Sequence, residues 1–137
     1  MRIAIGLIVF LAAIVYAQES ASVWDGIYMQ EQASRGKALF SEKCEGCHGT
    51  ALEGKTGPQL AGTVFKGNWT GLTADDLFEY INKSMPRGQP GSLSRDQTAD
   101  LVAFLFTSNG FPAGQKGLPK DAALLQKIRI EAAKPSL

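Results

Sequence analysis

Sulfur and imidazole are scarce in this chain: its 137 residues contain two cysteines, one histidine and three methionines. A zinc site built from Cys and His alone is one ligand short, and two histidines of one chain on a single metal are excluded. Charge of either sign is nearly cancelled, to a net +1, so the basic excess expected of a nucleic-acid binder is missing. No internal repeat and no alternating run of useful strand length is present. What remains, 45% apolar and 20% charged residues, is the composition of one small globular domain. A strongly apolar run occurs only at the start.

That run has the order of an export signal. Met1-Arg2 is a short basic start, and residues 3–14 carry no charge. Val15-Tyr16-Ala17 then sets modest or small residues before polar Gln18. Residues 1–17 are read as a signal peptide, because a bilayer span needs about 20 apolar residues. An uncleaved anchor is the alternative. The expected location is periplasmic or otherwise exported, without stable membrane insertion once the signal is removed.

Past the signal, residues 18–29 read as a polar arm lying against the domain. Residues 30–43 repeat small and apolar side chains at three- and four-residue steps (Ala33, Gly36, Phe40), the spacing of a helix. From Gly49 to Gly71 glycine is too frequent for any long regular element. Thr73 with Asp76 is an N-cap signature, opening a helix whose broad apolar face holds Leu77, Phe78, Tyr80 and Ile81. Pro86 disfavours helical geometry in the residue before it, so this helix ends by Met85. Ser94 with Gln97 caps another helix, with Leu101, Phe104 and Leu105 inward and Asn109-Gly110 as its stop. Residues 111–137 form an extension in which a short helix over 121–132 is expected. The reading is all-α with long loops.

The chemistry is concentrated in Cys44-Glu45-Gly46-Cys47-His48. Cys-x-x-Cys-His is the attachment signal for c-type haem. Two thiols three positions apart at a helix end can each bond the same porphyrin edge, and the adjacent His48 becomes the proximal iron ligand. A zinc site would need a carboxylate or a second chain, and a redox-active pair should lie beside a βαβ pattern. A plain disulfide is the structural alternative. For the second iron position, Met85 lies where Pro86 turns the chain out of its helix. A methionine is more often core filler, but His/Met ligation suits an electron-carrying haem.

The order Cys44-Glu-Gly-Cys-His48, Gly57-Pro58-Gln-Leu60, Ser84-Met85-Pro86 and a final helix with Leu101 and Phe104 resembles class I cytochromes c over about residues 33–109. The resemblance implies three to four helices and long loops around one covalently bound haem c, with residues 30–110 as the cytochrome domain. It implies that Gly36 and Phe40 of the first helix cross Leu101 and Phe104 of the last. It also implies that the Pro58 carbonyl accepts the free ring N–H of His48, and that Trp69, or another donor in 65–69, bonds a haem propionate. Simple core packing is the other reading of Trp69. The segments 85–94 and 109–114 are similar to small bacterial cytochromes c found with quinoprotein dehydrogenases.

The function expected is electron transfer, as a carrier or as the electron-accepting subunit of a periplasmic dehydrogenase or respiratory chain, and not catalysis. Redox proteins, a quinoprotein dehydrogenase or a terminal oxidase among them, are the expected partners. A haem enzyme or gas-binding protein with a dissociable Met85 is the alternative, and a structural subunit is a third. Lys43, Lys83 and Arg87 could ring the haem edge, but Glu42 and Glu45 interleave with them, so a mixed-charge surface is expected.

Overall fold

The computed structural model describes residues 20–137, so the expected export signal lies outside the described residues. In chain order the elements are β1 (Ala21–Ser22), α1 (Gln30–Lys43), α2 (Glu45–His48), α3 (Gly62–Trp69), α4 (Ala74–Ser84), α5 (Arg95–Ser108), α6 (Ala122–Leu125) and β2 (Ile128–Arg129). The mostly helical architecture agrees with the all-α reading of the sequence. Among the described residues no helix is long and apolar enough to cross a membrane.

The frame of the molecule is the crossing of α1 over α5. Ala33, Gly36 and Phe40 are the buried small and apolar positions of α1, as the spacing predicts. Gly36 meets the α5 backbone at Asp100, and the Phe40 and Phe104 rings fill the crossing at 5.2 Å between centroids. Arg35 closes its rim with two hydrogen bonds to Asp100, 2.8 and 2.9 Å. Helix α5 is buried on nearly every side, from Thr98 and Ala99 through Leu101 to Phe106. Such a helix belongs at the centre of a domain.

The two N-caps form as read. Thr73 Oγ1 accepts from the Asp76 amide while Asp76 Oδ2 accepts from the Thr73 amide. Ser94 and Gln97 repeat the arrangement at α5. On α4, Leu77, Phe78 and Ile81 are buried, but Tyr80 is 47% exposed, a departure from the expected face. At about 100° per residue, Tyr80 falls to the side of the stripe made by the other three, and its ring meets Trp69 edge-on.

Two expectations are corrected. The glycine-rich stretch contains a regular helix, α3, of eight residues. A glycine inside a helix costs up to about 1 kcal/mol, whereas burying a Phe side chain stabilises by roughly 1.5–3 kcal/mol; Phe65 is 1% exposed. Gly67 has open space around its Cα, so α3 needs no other side chain there. The second correction is in the extension, where the helix expected over 121–132 stops at Leu125.

After a turn at 126–127 the chain becomes extended from Ile128 because partners wait on both sides. β2 pairs in parallel with β1, Ala21 opposite Ile128 and Ser22 opposite Arg129. On its other side the Ile130 amide donates to Leu72 O and the Gly71 amide to Ile130 O, each 2.9 Å. Ile128 and Ile130 point inward and Arg129 outward, the two-residue period of a strand. Leu125 joins them in the core, but Leu124 is exposed. The arm does lie against the domain: Val23 and Tyr28 are buried, Trp24 donates to Glu131 O at 3.0 Å, and Trp24 packs edge-on against Phe111. Tyr28 donates to Phe111 O at 2.6 Å and accepts from Thr107, since its single hydrogen is already used.

Candidate functional site

Helix α1 ends at Cys44, whose φ of −124° is not helical. The chain then makes one further turn, α2, in which the Cys47 and His48 amides both donate to the Cys44 carbonyl, at 3.1 and 3.0 Å. This turn carries the whole Cys-Glu-Gly-Cys-His segment. Cysteines three positions apart on it share one face, with Cys44 half-buried, Cys47 exposed and His48 buried. No disulfide joins the two cysteines.

The following loop folds back on the turn. The Gly54 amide donates to His48 O at 2.7 Å, and those of Lys55 and Gly57 donate to Cys47 O at 3.1 and 2.9 Å. That places the Pro58 carbonyl 2.8 Å from His48 Nδ1. A carbonyl only accepts, so Nδ1 carries the proton and the lone pair is left on Nε2, the tautomer a metal ligand requires. Gly57 lies against the ring: a Cβ there would stand 2.7 Å from His48 Cε1.

Met85 comes from a different element, α4. It is the C-cap of α4, with φ −118° and ψ 154°, the extended geometry that a following proline imposes. Its amide still donates to Ile81 O, so the residue leaves the helix without leaving its end.

These residues meet in one cleft of about 310 Å³ whose lining includes Cys44, Cys47, His48, Gly57, Pro58 and Met85. Phe40, Leu60, Ile81, Leu101 and Leu105 make its apolar wall, and Lys43, Thr56, Pro86 and Arg87 complete the lining. Thr56 and Ile81 carry no sequence signal for this position; Ile81 reads only as part of an apolar helix face. Trp69 is not among the lining residues. It packs beside Phe65 and Tyr80, with ring centroids 6.5 and 5.8 Å away.

The chemistry of this donor set fits a haem. Two thiols, an imidazole of defined tautomer and a thioether converge on a mostly apolar wall. Zinc fits less well: the described residues bring together no three His, Cys, Asp or Glu side chains able to hold a metal. Burial pushes the Cys44 thiol up to about 11, with Cys47 adding to the rise and Lys43 opposing it. A redox-active Cys-x-x-Cys pair is built on a lowered thiol, and the shift at Cys44 runs the other way.

A family model described as cytochrome C oxidase, cbb3-type, subunit III matches residues 31–105, more than half of the chain. The chain belongs to this cytochrome c family. As a c-type cytochrome it carries haem c covalently. It is similar to the cytochrome c-551 of Bacillus subtilis, 38% identical over 78 residues, which covers 57% of this chain and 64% of that protein. It is also similar to the thiosulfate dehydrogenase of Psychrobacter arcticus, 31% identical over 84 residues, covering 56% of this chain and 26% of that one. A chain in the crystal structure of the sulfane dehydrogenase SoxCD from Paracoccus pantotrophus is 29% identical, with a TM-score of 0.47, and the match covers 64% of this chain and 53% of that one. The cytochrome thus spans about a quarter of the thiosulfate dehydrogenase and less than two thirds of cytochrome c-551.

Proposed function

We propose that His48 and Met85 are the two iron ligands, that Cys44 and Cys47 hold the macrocycle, and that the protein is an exported one-electron carrier or the electron-accepting subunit of a dehydrogenase or respiratory chain. The observation that carries this reading is the convergence of the single histidine, Met85 and both cysteines on one cleft. When bound, haem c supplies an iron that gains and loses one electron. His48 is oriented by the Pro58 carbonyl, which also raises the basicity of Nε2. Met85 contributes a soft thioether, which favours the reduced state and raises the potential. The apolar wall from Phe40 to Leu105 keeps water from the centre. With His48 and Met85 both holding the iron, no coordination place would be left for a substrate.

In this reading residues 30–110 are the cytochrome domain, 18–29 its arm and 111–137 its extension; the family match falls within the first of these. The similarity to a thiosulfate dehydrogenase supports a dehydrogenase as electron donor.

The test is a visible spectrum and redox titration of the protein matured with haem, beside Met85→Ala. The wild type should show the red band of a methionine–iron bond, and Met85→Ala should lose it and titrate at a lower potential. An unchanged potential removes Met85 from the site. A wild-type spectrum without the band favours a haem enzyme or gas-binding protein.

A further inference from the structure

The two loops that bound the cleft are held in different ways. The loop after His48 is tied to the motif itself by three backbone hydrogen bonds. The loop after Met85 has only two local turns within it, Gln89 to Pro86 O at 2.9 Å and Ser92 to Gln89 O at 3.2 Å. Its residues 87–92 are all exposed. Its closure therefore falls to what lies at its two ends.

At those ends stands a side-chain amide. Asn82, on the last turn of α4 and three residues before Met85, donates from Nδ2 to Leu93 O at 3.1 Å and to Thr98 Oγ1 at 2.8 Å. Thr98 is fully buried, and its own hydroxyl proton goes to Ser94 O at 2.8 Å. Both Nδ2 hydrogens are used, and the Thr98 oxygen must accept from Asn82. One amide thus joins the helix that ends in Met85 to the far end of the loop and to α5.

We infer that Asn82 is a positioning residue for Met85, setting how firmly its thioether is held at the cleft. The inference rests on Met85 as an iron ligand. Swinging the loop outward separates α4 from Leu93 and Thr98, so the hydrogen bonds of Asn82 count against every open state. Removing them raises the open population without altering any group that lines the cleft.

The experiment is imidazole titration of the oxidised, haem-loaded protein, with the red methionine–iron band recording displacement of Met85. Asn82→Leu, close in size but without donors, should bind imidazole about five- to tenfold more tightly, the equilibrium worth of about one hydrogen bond. Thr98→Val should bind it about two- to fivefold more tightly, and Thr98→Ser, which keeps the hydroxyl, should match the wild type. Arg35→Ala, which opens an exposed ion pair at the α1–α5 crossing, should weaken folding while leaving imidazole affinity unchanged. If Asn82→Leu does not fold, the Thr98 pair decides the matter. Wild-type affinity in Asn82→Leu, or in Thr98→Val where that pair decides, overturns the inference while Met85 keeps its place. A wild-type protein lacking the red band overturns the ligand assignment instead.

Discussion

Gly36 and Asp100 are in backbone contact across the α1–α5 crossing: a Cβ on Gly36 would fall 1.9 Å from the Asp100 carbonyl oxygen and 2.9 Å from Phe104 Cβ. Neither neighbour can yield, since one is helix backbone and the other the root of a packed ring. Helix propensity alone would make alanine better here by about 1 kcal/mol. Overpacking a core costs typically 1–3 kcal/mol and sometimes more, and the overlap is severe. Gly36→Ala is expected to lose roughly 1–2 kcal/mol net in urea unfolding; a variant of equal or greater stability would show that the helices do not cross here.

Gly57 is a gentler version of the same contact, placed at the site. An added methyl would press on the His48 ring and move Nδ1 away from the Pro58 carbonyl. Losing that acceptor lowers the basicity of Nε2 and so favours the reduced iron. Gly57→Ala should keep the red methionine–iron band and raise the midpoint potential, on the order of tens of mV for about one hydrogen bond. A potential equal to that of the wild type counts against the Pro58 carbonyl as the partner of the ligand.

Glu79 ties α4 to the start of α5. Its carboxylate lies 2.8 Å from Arg95 and 3.1 Å from Lys83, and the hydrogen bond from Arg95, helped by Lys83, holds it below the usual carboxylate range. A depressed folded-state value means that its stabilisation is complete above the unfolded value, about 4.3, and disappears as pH falls through the lower folded one. Glu79→Gln should cost up to about 1 kcal/mol at pH 7, the range for a pair in contact with water. The two proteins should converge in stability as pH falls below the unfolded value and through the lower folded one. A gap that stays constant from neutral to acid would assign the cost to packing.

Charge around the cleft is largely self-compensated. Lys43 lies 3.3 Å from Glu42 and Lys83 pairs with Glu79, while Arg87 is exposed in the lining. Salt screens unbalanced fields and has little to act on here. The rate of oxidation by an anionic inorganic oxidant should change by less than about twofold between low ionic strength and ~0.15 M salt. A steep decline would reveal a focused positive field at the cleft mouth.

Short-range interactions are what the residue order discloses. The caps at Thr73 and Ser94, the end of α4 before Pro86 and the Cys-Glu-Gly-Cys-His turn depend on atoms a few residues apart, and they are readable from the residues alone. The cleft was legible in its donors but not in its wall. Helix α3 forms amid glycines because Phe65 finds a core, and 128–130 become extended because Ala21, Ser22, Gly71 and Leu72 offer hydrogen bonds from far along the chain. Asn82, reaching eleven and sixteen residues ahead to Leu93 and Thr98, carries no local mark of its task. The order of residues thus decides the chemistry this cytochrome holds, since covalent attachment depends on neighbouring thiols and an adjacent imidazole. Only the folded packing decides which glycines are crossings, which asparagine braces the loop and which half of the extension is helix, because buried surface and hydrogen-bond partners exist only once distant segments have met.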